Sequence, residues 1–256
     1  MSTHSQTVQQ QFDPLAQDYL HSSVHAAGPD LDWVDDWLRR PGAPAGSALD
    51  VGSGPGHLSF RLAARFARVC AADPSRAMLT TAAAEAGRRQ LQLATCEAGA
   101  DALPLPDGDF DLVATRFSAH HWRNVPRALL ELRRVAREGV HLLLIDLLGE
   151  DSCLVDTHLQ SIELIRDPGH VRDLTTAQWH AALGDAGWRV CEFRCWPLRL
   201  GFDSWVGRMR VPEPRVALLR EMVSRAPMEV RQALAIEEDG SFTARVGLFV
   251  ATRAGD

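Results

Sequence analysis

Short apolar-rich runs alternate along this chain with longer stretches in which apolar positions recur every three or four residues. The short runs fall at residues 48–51, 69–73, 91–96, 109–115, 140–148, 188–195 and 242–252, and each reads as a β-strand. Helical spacing marks residues 7–20, 31–38, a segment carrying Leu58, Leu62, Ala63 and Phe66, and 125–136. Strands that are apolar throughout and alternate with helices predict a parallel sheet covered on both faces, a doubly wound α/β domain whose ligand lies at the carboxyl ends of the strands. Further helical stretches cover 150–176, with Ile162, Leu164 and Ile165 at helical spacing, and 200–238. Pro41, Gly42 and Pro44 break the chain before the first strand.

The first strand ends in Asp50 and runs directly into Gly52, Gly54 and Gly56. Glycines at a strand-to-helix junction let backbone pass close to a ligand, because no Cβ blocks the approach. The spacing departs from the dinucleotide fingerprint, since the place of its third glycine is taken by His57. A carboxylate at Asp50 would repel a pyrophosphate and attract a cationic amino group, so a ligand carrying an ammonium is favoured. As a bare motif the run also fits an ordinary tight turn. The second strand ends in Asp73, about 20 residues past the loop, where an acid grips a ribose diol with two hydrogen bonds. A helix N-cap is the other role open to it.

Charge and composition narrow the partners. The net charge is −6 and Lys/Arg form no block, which argues against nucleic acid as a standing partner. No apolar run approaches the roughly 20 residues of a membrane helix, and the N-terminus lacks a signal-peptide pattern, so neither a membrane nor export is expected. Five cysteines without framework spacing fit a reducing, cytoplasmic setting. Cys191 and Cys195 flank Phe193 in a strand-like run, which argues against metal binding, and no metal site is expected. Oligomeric state is not legible.

The series LDVGSGPGH, AADPSRAML, ADALPLPDGDFDLVATRFSAHHW and ALLELRRVAREG resembles the class I S-adenosylmethionine-dependent methyltransferases. It is most similar to their UbiE-type group and, through FDPLAQDYLHSSVHAAGPDL, FSAHHW, DPGHVRDLTTAQW and FDSWVGRMR, to its YafE-like branch. The resemblance covers most of the chain and implies one domain over 1–256, built on a seven-stranded Rossmann-like sheet, mostly parallel, with an antiparallel last strand. It implies an N-terminal helical cover at 1–40, and 150–176 with 200–238 as a substrate lid. Asp50, Gly52, Gly54 and Gly56 would then cradle the methionine part of S-adenosylmethionine. Asp73, followed by Pro74, would take the ribose hydroxyls. Met78 would pack on the adenine, and the Ala100 N–H would face its ring. Arg116 would border the methionine moiety, and Tyr19, the single tyrosine, would close over it. The family's adenine-contacting Asp is replaced by Gly99, so either Asp101 takes over or side chains hold the adenine less tightly. The glycine pair usual before the fifth strand is reduced to Gly139 and Val140.

The implied reaction is methyl transfer to carbon or oxygen of a small acceptor, aromatic or quinone-like by family analogy, leaving S-adenosylhomocysteine. The alternative is a protein of this fold that binds the cofactor for other chemistry or for none. A phenol or activated ring carbon has to lose a proton, for which a histidine serves. His120 and His121 follow the fourth strand and are the catalytic candidates, although the family's frequent histidine at the place of His121 also fits a structural part. His25, Trp122, His170, Arg172, Trp205 and Arg208 form a candidate acceptor set, since Arg anchors a carboxylate or enolate bidentately. Each also fits packing or a solvated surface.

Overall fold

The computed structural model describes residues 3–253. Seven strands form one sheet: β1 (Ser47–Val51), β2 (Arg68–Asp73), β3 (Ala94–Glu97), β4 (Phe110–Arg116), β5 (Ala136–Leu148), β6 (Trp188–Leu200) and β7 (Phe242–Arg253). Their order is β3-β2-β1-β4-β5-β7-β6, with β7 antiparallel to both neighbours and the rest of the sheet parallel, as expected. The chain leaves β1 toward β2 on one side and returns to β4 on the other, which opens a crevice at their carboxyl ends. Register places that crevice: Val51 pairs with Ala72 on one side and Thr115 on the other, so Gly52, Asp73 and Arg116 emerge at one level.

Both sheet faces are covered. Leu49, Val51, Val113, Leu142 and Leu144 face one apolar cluster, and Ala48, Leu112, Ala114, Leu143 and Ile145 the other. This alternation is the period-2 pleat of strands buried on both sides. The fifth strand begins earlier than its apolar run. Phe110 pairs with Ala136 but Leu112 with His141, so the intervening residues bulge, with Gly139 at φ +71°.

The expected helix at 7–20 is broken. It divides into α1 (His4–Phe12), a 3-10 turn (Asp13–Leu15) and α2 (Ala16–Leu20). Pro14 supplies no N–H and its ring crowds the preceding turn. Next come α3 (Ser23–Ala26), α4 (Pro29–Leu38), α5 (His57–Ala63) and α6 (Arg76–Arg88), whose N-cap Ser75 accepts from the Met78 N–H. On the other face of the sheet lie α7 (Val125–Val135) and α9 (Thr176–Asp185), while α8 (Cys153–Arg166) packs on the later insertion. The stretch expected at 200–238 forms three helices, α10 (Phe202–Arg208), α11 (Glu213–Ser224) and α12 (Met228–Ala233), with Pro212 and Pro227 at the starts of the latter two. The chain between β5 and α9 packs against the chain between β6 and β7: Val155, Leu159 and Ile162 of α8 share an apolar cluster with Trp205, Leu219 and Val230. Among the described residues, no helix is long and apolar enough to cross a membrane.

Candidate active site

The crevice widens into a cleft enclosing about 1210 Å³, continuous at its mouth with solvent. Gly52 and Gly54 adopt φ +67° and +53°, in the left-handed region. A Cβ on Gly52 would lie 1.8 Å from Ser118 Oγ, whereas one on Gly54 would meet nothing within 4 Å. Gly52 therefore lets the loop pack on the chain after β4, and Gly54 leaves open space beside the cleft. The loop consumes its own donors: Gly52 and Ser53 N–H donate to Ala72 O, and Gly54 N–H to Asp73 Oδ2 at 2.9 Å. Gly56 does not line the cleft, contrary to its expected cradling part. A Cβ there would strike the Phe60 ring at 2.8 Å, so its smallness serves helix packing.

Two buried carboxylates face the space. Asp50 Oδ2 accepts from Ser59 Oγ–H at 2.6 Å, and Oδ1 has no partner among the described residues. Burial pushes its pKa up to about 7 against that hydrogen bond. Asp73 accepts Ser75 N–H on Oδ1 at 2.8 Å and Gly54 N–H on Oδ2, and burial pushes it up to about 6 despite both bonds. It therefore fixes the glycine loop to the end of β2 and keeps spare acceptor capacity on both oxygens. Pro74, Met78, Ala100 and Asp101 continue the wall, with the Ala100 N–H unpartnered among the described residues. Gly99 also lines it, and a Cβ there would lie 3.1 Å from Asp101 Oδ1. The Asp101 carboxylate thus stands next to the place an Asp at 99 would fill, where Arg123 pairs with it at 3.0 Å.

The N-terminal helices roof the cleft through polar contacts. Gln9 Nε2–H donates to Pro74 O at 2.7 Å, and His57 Nε2–H to Tyr19 O at 3.0 Å. Arg116, buried, donates through Nε to the Asp30 carboxylate and through Nη1 to His25 O. Its guanidinium lies 4.4 Å from the Phe117 ring centroid, and Phe117 adopts φ +50°. The strain of that backbone turns the chain sharply after β4.

A second hollow of about 520 Å³ adjoins the cleft and shares Phe12, Tyr19, His25, Phe117 and His121 with it. Its far wall brings in His120, Glu163, Arg166, Asp167, Trp205 and Arg208. His120 Nδ1–H donates to Asp146 Oδ1 at 2.6 Å, and its backbone N–H to Oδ2 at 3.0 Å. Burial opposes a charge on this ring, but the Asp146 carboxylate and its hydrogen bond prevail, and the pKa is pushed up to about 9. His121 lies tilted against it, with centroids 4.2 Å apart, and donates from Nδ1–H to Gly169 O, which leaves Nε2 as the unprotonated nitrogen. Burial and then the charge on His120 hold His121 well below its ordinary pKa.

These shifts make stability pH-dependent. A histidine whose folded pKa exceeds the unfolded value stabilises the fold below about 6.5, and that contribution is lost as pH rises through about 9. Melting temperature should therefore fall between pH 7 and pH 10 more steeply in the wild type than in Asp146→Asn. Equal slopes would remove the ion pair from the account.

Not every expected residue reaches a hollow. Tyr19, Asp50, Asp73, Met78, Arg116, His25 and Trp122 line the cleft, and His120, Trp205 and Arg208 line the inner chamber. His170 lines neither: it is buried behind His120, 6.0 Å between ring centroids, and bonded to Gln160. Arg172 points away and pairs with Asp156 at 2.6 Å, half-exposed. Sequence reasoning also missed Ser118, Asp30, Asp146, Glu163 and Arg166. Asp146 carried a signal, a lone acid inside the apolar run of β5.

A family model described as a methyltransferase domain matches residues 49–144. The chain is 37% identical over 155 residues to the uncharacterized protein YafE of Escherichia coli, covering 60% of this chain and 75% of YafE. It is 26% identical over 227 residues to the uncharacterized methyltransferase YcgJ of Bacillus subtilis, 88% of each chain, and the crystal structure of YcgJ superposes with a TM-score of 0.83 over 89% of this chain and 99% of that one, at 23% identity. The UbiE ubiquinone/menaquinone biosynthesis C-methyltransferase of Paracoccus denitrificans is 37% identical over 116 residues, 43% of this chain and 45% of that one. The glycine loop, the acid closing β2 and the sheet order thus coincide with a matched family, and the chain belongs to the class I S-adenosylmethionine-dependent methyltransferases, resembling their UbiE and YafE group.

Proposed function

We propose that the outer cleft holds S-adenosylmethionine and that the inner chamber receives a small methyl acceptor, methylated on carbon or oxygen. The observation that carries this reading is the shared wall of the two hollows, which gives a cofactor at the glycine loop an adjoining space. The cleft fits the cofactor on its own terms. The unpartnered Asp50 Oδ1 is matched to the ammonium of the methionine part, and the surface at Gly54 admits close approach. Asp73 has acceptor capacity for the ribose diol, and Met78 and Ala100 form an apolar slot for the adenine, with Asp101 at its rim in place of an Asp at Gly99.

When bound, S-adenosylmethionine supplies an electrophilic methyl group and needs little acid–base help. This chain's residues orient and desolvate the partners. Tyr19 and His25 stand between cleft and chamber, the ring centroids 4.7 Å apart. The N-terminal cover and the packed insertions over 150–176 and 200–238 serve as the lid that excludes water. A quinone-like or other aromatic acceptor is favoured by analogy with the UbiE relatives.

Calorimetric titration with S-adenosylmethionine, S-adenosylhomocysteine and NAD tests the cofactor reading, with saturable binding expected for the two sulfur ligands and none for NAD. A panel of phenolic and quinone precursors, screened by release of S-adenosylhomocysteine, tests the acceptor class. One pH effect follows from Asp50. An ammonium beside it favours the ionised carboxyl, so affinity for S-adenosylhomocysteine rises with pH up to about 7 and then levels. With a pKa of about 7 the ionised fraction falls from about one half at pH 7 to about one tenth at pH 6, so the loss over that unit should be about fivefold. Asp50→Asn should flatten this profile, and an unchanged profile would take Asp50 off the ammonium.

A further inference from the structure

The two edges of the sheet are unequal. β3, at one edge, is four residues long, whereas β6, at the other, runs for 13. A short edge offers little to pair with, but a long one presents a row of N–H and C=O groups to any second strand. Among the described residues the backbone of β6 bonds only to the backbone of β7, so its outer edge is open. Both apolar layers also end there incompletely covered. Val190 and Phe193 are partly buried against one layer, and Trp196 and Leu198 against the other. The Phe193 ring rests on Phe249, centroids 4.8 Å apart, at the outer end of that row. On the opposite face of the strand Glu192 pairs with Arg194 at 2.7 Å and with Arg40 at 3.0 Å, and the Arg194 side chain stays 52% exposed. The chemistry is symmetrical about Phe193. Glu192 precedes it and Arg194 follows, and the exposed Cys191 and Cys195 stand two positions away on either side.

We propose that β6 pairs with β6 of a second copy of this chain, antiparallel about a two-fold axis at Phe193, so that one sheet runs through a dimer. A two-fold contact needs a self-complementary surface, and this register provides it. Each Glu192 stands opposite Arg194 of the partner subunit, so two opposite-charge pairs form across the axis. The two Phe193 rings meet on one face and extend the row that Phe249 begins. An axis at Glu192 or at Arg194 would set like residues of one charge against each other. One at Cys191 or Cys195 would leave both charges opposite uncharged residues. The ladder is bounded on either side of the axis. The register shift between Val190 and Glu192 bulges the strand before it, and Pro197, which has no N–H, interrupts the donors after it. With Arg189 and Arg199 beyond them, these features discourage other strands from adding in another register. Pairing is thereby confined to the stretch in which charge and apolar contact both fit.

Sedimentation equilibrium of the full chain should give twice the 28.2 kDa mass of one copy. Arg194→Glu and Glu192→Arg should each weaken self-association by about tenfold or more, because both pairs across the axis become like-charged. Mixed together, the two variants should form a heterodimer, since every pair across the axis is again opposite in charge. Circular dichroism and melting temperature check that each variant is folded. A second measurement leaves the charges untouched. In a Cys153→Ser background, a bismaleimide too short to span Cys191 and Cys195 of one chain should link Cys191 to Cys195 of the partner subunit. Adding Cys191→Ser or Cys195→Ser should abolish the link in either variant alone, and mixing the two should restore it, because one such pair is rebuilt. A mass of one chain at every concentration, or self-association undiminished in both charge variants, overturns the proposal. So does a link in either serine variant alone, or a mixture of the two that stays unlinked.

Discussion

Replacing Asp73 by Ala should weaken S-adenosylhomocysteine binding by about 100-fold, equivalent to about 2.7 kcal/mol. Asp73 acts on both sides of the cleft wall. Its carboxylate accepts the N–H groups of Gly54 and Ser75, so its removal leaves two backbone donors without acceptors and frees the loop from the end of β2. The same oxygens are the proposed partners of the ribose diol, and hydrogen bonds to a charged acceptor contribute about 1.5–3 kcal/mol each where burial excludes water. Asp73→Asn separates the two parts, since the amide keeps one acceptor oxygen and loses the charge. It should fall between Ala and wild type in a calorimetric titration. An Ala variant that binds with wild-type affinity at unchanged melting temperature would place the ribose elsewhere.

The second large effect is on stability. Asp30→Ala should destabilise the fold by about 3–5 kcal/mol, the cost of leaving one member of a buried pair uncompensated. Arg116 and Asp30 side chains are only 5% and 6% exposed, so water cannot take over the bond. Arg116 Nη2 already lacks a partner, and its remaining hydrogen bond would be to the single carbonyl of His25. The pair joins the end of β4 to the start of α4, so its loss should also loosen the N-terminal roof over the cleft. Chemical denaturation of Asp30→Ala, Arg116→Met and the double variant makes a complete cycle. The double variant should be more stable than Asp30→Ala alone, because it removes the orphaned charge as well. Additive losses would mean that the two groups do not interact.

Much of this fold is legible in the chain because its central strands, β1, β2, β4 and the second half of β5, are buried on both faces. Such strands must be apolar throughout, and the helices between them must show a 3.6-residue period, so fold class and element order follow from local pattern. The exceptions have local causes that pattern does not weigh. Pro14 divided one expected helix, and the bulge before His141 lengthened β5 beyond its apolar run. Of the candidate site, the residues readable in advance are those placed by strand ends: Asp50, Gly52, Gly54, Asp73 and Arg116 all sit within three residues of a strand terminus, and the register of β1 with β2 and β4 brings them together. Gly56 lies in the same motif, yet it answers to the Phe60 ring rather than to the cleft.

The acceptor side was readable only as residue types. His170, Arg172 and Arg208 looked equivalent in the sequence, and only Arg208 reaches the chamber. Its position depends on α10 packing against α8 across 40 or so residues of chain, a long-range contact that no local period encodes. The His120–Asp146 pair is similar, for it joins the turn after β4 to the body of β5 through the sheet register. The sequence by itself determined the sheet, its switch point and the chemistry of the cofactor edge, because these are repeated consequences of burial and of glycine at strand ends. Tertiary structure alone decided which cations and acids meet in the inner chamber, because that rests on how separate insertions pack over one space.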